Sequence, residues 1–492
     1  MAYCFKSPLK TTKQHTMFEG KFHKTKIIAT IGPATSSEEM LEKIILAGVN
    51  VCRLNFSHGT HEDHKIVIDR IHKINVRLGS HVAIMQDLQG PKLRIGKVNG
   101  EIELREGDDI LLSITEQECT SKILFVSYKR LVKDCKIGEP ILINDGKVQL
   151  EFTEKVDDHT MRAKVISGGP LTSNKGFNLP FSTLSVPSLT QKDLIDLEFG
   201  LSQDLDWIAL SFVRKASDIE ELKQIIAEKG LDIKVIAKIE KPEAVQDIDS
   251  IIQVADAIMV ARGDLGVEVP MQKVPLIQKT IVEKCLAAAK PSIIATQMME
   301  SMIIDSMPTR AEIADVANAV LDGADALMLS GETSIGRYPE RVIDIMSDII
   351  TDIESDRRAY YKGIKPSIES PSFYSDEICF TAVRMSDHLQ AKAIVALTKS
   401  GFTGYRVASF RPEAHIFIFT QSPKLIKIMS LVWGIRGYFY DNFISTDSTL
   451  QDTVSILKAG NHIDIDDYIV SCASMPMHKK LRTNTIKVTL VD

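Results

Sequence analysis

Between residues 26 and 329 the sequence holds eight short apolar runs, and amphipathic segments separate most of them. That alternation leaves few folds open. The runs lie at 26–31, 49–54, 82–86, 206–210, 233–239, 255–261, 292–295 and 324–329, and each is short enough for one strand. The segment 37–47 is apolar at Met40, Leu41, Ile44 and Ile45, and 216–228 is apolar at Ile219, Leu222, Ile225 and Ile226. Both spacings are helical. Apolar strands alternating with helices predict an α/β protein with a parallel sheet covered by helices. Eight repeats favour a closed (β/α)8 TIM barrel. An open doubly wound sheet is the alternative that the pattern leaves standing.

The alternation stops after the third run. Residues 90–187 read instead as short alternating strands, with turns at Asn99-Gly100, Gly107-Asp108, Asp145-Gly146 and Gly168-Gly169. We expect an inserted small β-barrel domain, which could act as a lid or be a plain decoration of the barrel. Beyond the eighth run, 340–355 reads as a helix and 356–375 as a polar linker. Strands at 393–397, 415–420, 436–440, 468–472 and 485–490 then alternate with helices. The expected organisation is a leader (1–20), the catalytic barrel (21–89 and 188–355), the inserted β lid (90–187) and a C-terminal α/β domain for regulation or assembly (356–492).

With 492 residues, 25% of them charged, and a net charge of −6, the chain has no general basic field for nucleic acid or an anionic membrane. No apolar run approaches a membrane span. The seven cysteines are scattered with no C-x-x-C pair, which suits free thiols and a cytoplasmic location.

Chemistry in a barrel enzyme belongs at the C-terminal ends of the strands. The stretch 234–268 carries Lys238 and Glu240 after one apolar run and Arg262, Gly263 and Asp264 after the next. Residues i and i+2 of a strand share a face, so Lys238 and Glu240 point the same way. Surface salt bridges would give the same pattern in this stretch alone. The other ends add Arg53, Asn55, Ser57, Asp87, Ser211, Thr296, Gln297, Ser330 and Glu332, and the whole set points to an active site. Arg53, Arg94 and Lys238 suit phosphate oxygens. Glu240 and Asp264 suit Mg2+ or Mn2+. The run Gly263 to Gly266 can open a short helix whose N–H groups receive an anion. Phosphoryl transfer is the chemistry implied, with no Walker motif to bind a nucleotide. His58, His61 and His64 could form a zinc site, but a loop–helix junction explains them better. Met298, Met299 and Met302 read as core filler. Gly401 to Gly404 fits either a phosphate cradle or a plain turn.

At TKIIATIGPAT (25–35), GVNVCRLNFSHGTHEDH (48–64), GPKLRIG (90–96), NKGFNLP (174–180), IAKIEKPEAV (236–245), MVARGDLGVE (259–268), ATQMMESM (295–302) and DGADALMLSGETSIGRYP (322–339), the chain closely resembles the pyruvate kinase family. The resemblance implies phosphoryl transfer from phosphoenolpyruvate to ADP, giving pyruvate and ATP. It implies Glu240 and Asp264 as Mg2+ (or Mn2+) ligands, and Lys238 as the cation on the transferring group. It puts Arg53 on the phosphate, and Gly263, Asp264 and Thr296 on the carboxylate. Thr296, Ser330 and Glu332 lie where the enolate receives its proton. Asn55, Phe56, Ser57, His58, Arg94 and Lys175 match nucleotide-contacting positions. Many members also hold K+ with residues matching Asn55, Ser57, Asp87 and a threonine, in a run like DTKGPEIRT. This chain has DLQGPKLRI, with Leu88 for the threonine and Lys92 for a glutamate. The Lys92 ammonium can supply the missing charge, so K+ is not expected to be required. Thr398, Lys399, Ser400, Gly401, Phe402 and Thr403 match an effector phosphate loop. The far end, 474–488, lacks the glycine-rich loop of sugar-bisphosphate-activated members, so a different effector or none is expected. A homotetramer is implied. A Mg2+-dependent lyase or aldolase on a pyruvate-like enolate, and a metabolite-sensing scaffold, are the competing readings.

Overall fold

The structure, a computed structural model, describes residues 20–182, 185–442, 445–476 and 482–492. The expected leader thus lies outside the described residues except for Gly20, as do 477–481 of the far end.

The eight runs close into a parallel barrel: Lys26–Ile31, Val49–Asn55, Ala83–Asp87, Trp207–Leu210, Lys234–Ile239, Ala257–Ala261, Ser292–Ala295 and Ala326–Leu329, with the last strand paired to the first. The open-sheet alternative is excluded. Two strands start two residues later than their apolar runs. Ala255 is spent capping the helix Ile248–Val254. Gly323 caps the helix Arg310–Asp322 in a left-handed conformation, so the chain enters the last strand only at Ala326. The helices Gln191–Leu201 and Arg310–Asp322 open on capping boxes, Thr190 with Asp193 and Thr309 with Glu312.

Period-two alternation sorts the strand side chains into two cores. Ile28, Val51, Met85, Ala209, Ile236, Met259, Ile293 and Met328 fill the barrel interior. Ile27, Leu54, Ile84, Ile208, Val235, Ile258, Ile294 and Leu327 face the surrounding helices. The barrel is therefore a packed solid with chemistry only at its rims.

The inserted region folds around its own apolar cluster. It has a six-stranded sheet in the order Phe177–Asn178, Pro140–Ile143, Val148–Lys155, Thr160–Ser167, Asp109–Ser113, Ile123–Phe125, and a ribbon of Gly169–Leu171 with Ile102–Leu104. Arg94 bridges Gly176 and Ile95 bridges Val126, beside the two edge strands, so one short run closes the sheet on itself. Gly90 begins this excursion at φ +68, and a Cβ there would stand 2.8 Å from the Phe212 ring. Its N–H donates to Asp193 Oδ1 (3.0 Å), which fastens the entry to the barrel. On the return, Arg214 Nη2 donates to the Val186 carbonyl (2.7 Å).

The C-terminal sheet orders Ile435–Phe439, His415–Thr420, Ala393–Leu397, Tyr468–Ala473, Thr485–Leu490, the last strand antiparallel to its neighbour. This unit seals the N-terminal end of the barrel, with Ile428 and Leu431 joining the interior cluster. Asp325, buried just ahead of the last barrel strand, organises the joint. Its Oδ2 accepts from Ser292 N (3.0 Å) and Arg411 Nη2 (2.9 Å), and its Oδ1 from Trp433 N (3.1 Å). Asp325→Ala leaves Arg411 buried without its countercharge. We expect a loss of about 3–5 kcal/mol of stability in chemical denaturation, with the mouth chemistry unaffected in the fraction that stays folded.

Candidate active site

The inward-facing rows of the strands turn polar at the C-terminal rim. Ile28 leads to Thr30, Val51 to Arg53, Met85 to Asp87, Ala209 to Ser211, and Ile236 to Lys238 and then Glu240. Each polar residue continues an apolar row at i+2, so the strand geometry that packs the interior also aims these groups at one point.

Asp87 is at the centre. Its Oδ2 accepts from Arg53 Nε (2.6 Å), and its Oδ1 from Lys238 Nζ (3.2 Å) and Ser211 Oγ (3.4 Å). Arg53 Nη1 also donates to Thr30 Oγ1 (2.9 Å). Lys238 Nζ donates to Ser211 Oγ (2.7 Å) and lies 3.0 Å from Glu240 Oε1. Glu240 Oε2 accepts from Phe212 N (2.7 Å). All four charged groups are nearly buried. Burial works to raise the Asp87 carboxyl, but Lys238 and Arg53 outweigh it and hold it below the usual carboxylate value. Burial opposes the charge on Lys238, yet the Asp87 and Glu240 carboxylates push its pKa well up, so the ammonium is permanent. Glu240 is pushed up, first by burial and also by the Asp264 charge, against the pull of Lys238.

The next rim segment is the helix Arg262–Glu268, which begins one residue before the glycine where the sequence suggested it would. Gly263 N donates to Thr296 Oγ1 (2.7 Å), and Arg262 Nη2 donates to the Thr296 carbonyl (2.8 Å). Thr296 and Gln297 have φ of +71 and +55. A β-branched residue at positive φ is strained, and such strain gathers at functional sites. Glu332 is buried with its oxygens on backbone donors, Oε2 on Ser330 N (2.7 Å) and Oε1 on Met299 N (3.2 Å). It ties the loops after the seventh and eighth strands together.

Across the mouth, Asn55 Oδ1 accepts from Ser57 N (3.1 Å) and His58 is exposed. Phe56 is buried and its ring stacks on His64 with centroids 4.1 Å apart, while its N–H donates to the Asp87 carbonyl (3.0 Å) and its carbonyl accepts from Lys192 Nζ (2.7 Å). His61 Nε2 bonds Asp196 Oδ1 (2.8 Å) and stacks on Phe199. The histidine trio is thus a packed loop–helix junction. Met298, Met299 and Met302 are core. Arg94 and Lys175 lie on the two paired runs that close the inserted sheet, with Arg94 Nη1 donating to the Asn174 carbonyl (3.0 Å). Lys92 reaches Asp264 Oδ1 at 3.8 Å, while the carboxylate of Asp87 is taken by Arg53 and Lys238. Leu88 is buried and its carbonyl accepts from Ser211 Oγ (2.7 Å). Far from this mouth, Thr398 to Thr403 joins the strand Ala393–Leu397 to the helix Phe402–Ser409. There Gly401 N donates to Thr398 Oγ1 (2.9 Å), and Thr403 Oγ1 meets Thr483 Oγ1 (2.7 Å).

Thr30 and Ser211 complete the charge cluster. Sequence reading placed Ser211 at a strand end without a partner and did not name Thr30, which continuing the inward row of the first strand by two residues would have found.

Among the described residues no cluster of three or more His, Cys, Asp or Glu is placed to hold a metal. Glu240 and Asp264 are nevertheless a fitting pair for Mg2+, which takes one or two carboxylates and fills its shell with substrate oxygens and water. Burial, and after it the nearby Asp264 charge, push the Glu240 carboxyl up, and a divalent cation would offset both. A cleft of about 700 Å3 opens beside Gly263 and Asp264 and is bounded on the inserted domain by Asp145, a size that suits a small molecule.

Comparison with known proteins agrees with this geometry. The family model for the pyruvate kinase barrel domain matches residues 22–343, and that for the pyruvate kinase alpha/beta domain matches 376–489. The pyruvate kinase of Staphylococcus aureus is 40% identical over 474 residues, 95% of this chain and 80% of that protein. Pyruvate kinase 2 of Synechocystis sp. is 42% identical over 475 residues, 95% of this chain and 79% of that protein. The crystal structure of a pyruvate kinase from Cryptosporidium parvum aligns with a TM-score of 0.90 at 35% identity, covering 96% of each chain.

Glu240→Gln removes one of the two carboxylates offered to a cation. Mn2+ titrated against the protein should bind at least about tenfold more weakly in the variant. In the unaltered protein the affinity should fall as pH drops, because the cation must displace a proton from a carboxyl whose pKa is raised.

Proposed function

The chain belongs to the pyruvate kinase family and carries that family's reaction, phosphoryl transfer from phosphoenolpyruvate to ADP; from that premise we propose which residues perform it. The observation that carries the assignment is Lys238, an enforced ammonium held by Asp87, Ser211 and Glu240 beside a second carboxylate, Asp264.

Arg53, braced by Asp87 and Thr30, takes the phosphate of phosphoenolpyruvate. Gly263, Asp264 and Thr296 hold the carboxylate. Asn55, Ser57, His58, Arg94 and Lys175 receive ADP, and Phe56 anchors the run between them through its buried ring. A β-phosphate oxygen of ADP forms a bond to phosphorus as the bond to the enol oxygen breaks. Lys238 offsets the negative charge on the transferring group and on the departing enolate, in a site whose dipoles are already set. Mg2+ (or Mn2+), held by Glu240 and Asp264, would add positive charge on the phosphate oxygens and the enolate. The enolate then takes a proton at its methylene carbon to give pyruvate, on the side of Thr296 and Ser330. Glu332 acts there by positioning both loops.

The region 90–187 serves as a lid over the nucleotide, between the barrel parts 21–89 and 188–355, and 356–492 serves regulation and assembly. The Lys92 ammonium is proposed to supply the charge that K+ would bring to the pocket matched by Asn55, Ser57, Asp87 and Leu88; its partner in the structure is Asp264, at 3.8 Å. Its charge acts through the Asp264 side of the site. Exposed apolar side chains at Met271, Leu276, Ile304, Met307 and Ile335 support self-association as a homotetramer. The loop Thr398, Lys399, Ser400, Gly401, Phe402, Thr403 would take a phosphorylated effector. The cytoplasm is the proposed location.

Pyruvate formation from phosphoenolpyruvate, ADP and Mg2+ tests the reading. Lys238→Met should lower kcat by about a thousandfold or more in the folded protein, and should also lower the unfolding temperature, because Asp87 and Glu240 lose a buried countercharge. Activity should be full with tetramethylammonium as the sole monovalent cation. Lys92→Glu should lose about tenfold or more and recover with K+; a strict K+ requirement in the unaltered protein overturns the lysine substitution.

A further inference from the structure

Glu268 closes the helix Arg262–Glu268, one turn beyond Asp264. Its carboxylate is buried, and it connects three parts of the molecule. Oε1 accepts from Lys241 Nζ at 2.6 Å and from Asn178 Nδ2 at 2.8 Å. Lys241 directly follows Glu240, so this contact holds the chain behind one proposed metal ligand. Asn178 belongs to the inserted domain, where its backbone is set in the sheet opposite Leu142. Oε2 is also buried and has no hydrogen-bond partner among the described residues. A buried acceptor left open is costly, so its retention calls for an explanation beyond packing.

The two chain crossings at Gly90 and Val186 only tether the inserted domain. The Asn178–Glu268 bond adds a fixed point beside the cleft lined by Lys92, Asn178, Lys241 and Asp264. We propose that Glu268 is a positioning residue, a latch post that sets how the lid sits over the mouth and couples lid position to the segments carrying Glu240 and Asp264. The inference rests on the lid and phosphoryl-transfer reading above. The bond is charge-assisted and desolvated, which makes it strong enough to bias a domain attached by two crossings. The open Oε2 lets the carboxylate take a second donor as the lid moves, without releasing Lys241.

Asn178→Asp sets two carboxylates against each other and should open the latch. We expect the KM for ADP to rise by about tenfold or more, while the affinity for phosphoenolpyruvate, measured by direct titration, stays within about twofold. Asn178→Asp combined with Glu268→Gln exchanges acceptor and donor, and keeps one negative charge facing Lys241. It should bring the KM for ADP back to within about threefold of the unaltered protein. Hydrogen–deuterium exchange across 90–96 and 174–180 should quicken in Asn178→Asp and recover in the double variant. An unchanged KM for ADP in Asn178→Asp, or a double variant no better than Asn178→Asp, overturns the latch. Unchanged exchange overturns it too, and that readout needs no turnover. If the unaltered protein makes no pyruvate from phosphoenolpyruvate and ADP, the functional reading fails, and exchange still decides the latch.

Discussion

Asp87 shares its two oxygens among Arg53, Lys238 and Ser211 in a site that water barely reaches. Removing such charges from water costs several kcal/mol per ion, and their attraction offsets this only when the geometry is good. The cluster meets that condition by balance: Arg53 and Lys238 stand against Asp87 and Glu240, and Thr30, Ser211 and the Phe212 N–H fill further hydrogen-bonding positions. Each member comes from a different strand, or from a different step of one inward row. Barrel closure is what holds them within bonding distance. The same arrangement fixes the positive charge before any substrate arrives, which is how electrostatic catalysis avoids reorganisation at the moment of reaction.

The two ends of the barrel solve opposite problems. At the N-terminal end the interior rows run into Ile428 and Leu431 of the C-terminal unit, and Asp325 with Arg411 locks the joint. The interior is thereby dry and rigid to its floor. At the C-terminal end the rows turn polar within two residues, and the cover is a separate body. That cover is fastened at its crossings through Asp193 and Arg214 and against the rim through Glu268. On the proposed lid reading, a rigid floor beneath a movable cover would suit a reaction that must exclude water yet release a nucleotide.

Much of this was legible in the chain. The eight strands follow from apolar runs alternating with helical spacing, and the structure moves a boundary by two residues only where a cap intervenes, as at Ala255 and Gly323. Lys238 and Glu240 on one face follow from i, i+2 spacing, and their partner across the next strand, Asp264, from its place at a strand end. Other features were not legible. Thr30 and Ser211 are common residues that gain meaning only as partners of Arg53 and Lys238. Lys92 was expected to supply the charge that K+ would bring, and the partner it meets, Asp264, is one that the chain alone does not name. Phe56 lies among residues matching nucleotide contacts, yet it turns its ring into the core against His64. Glu268 gave no sign of being a junction, since Asn178 is 90 residues away.

What the sequence determined by itself is therefore what neighbours along the chain can settle: strand against helix, inward against outward, and which chemical groups stand at strand ends. These depend on periodicity and covalent spacing, both local properties. The tertiary structure decided the rest. Asp87 and Lys238 are 151 residues apart, and their contact exists only because eight strands close into one ring. The partner of a charge, the burial that shifts its pKa, and the seat of the lid are all set by distances through space, which no local pattern encodes.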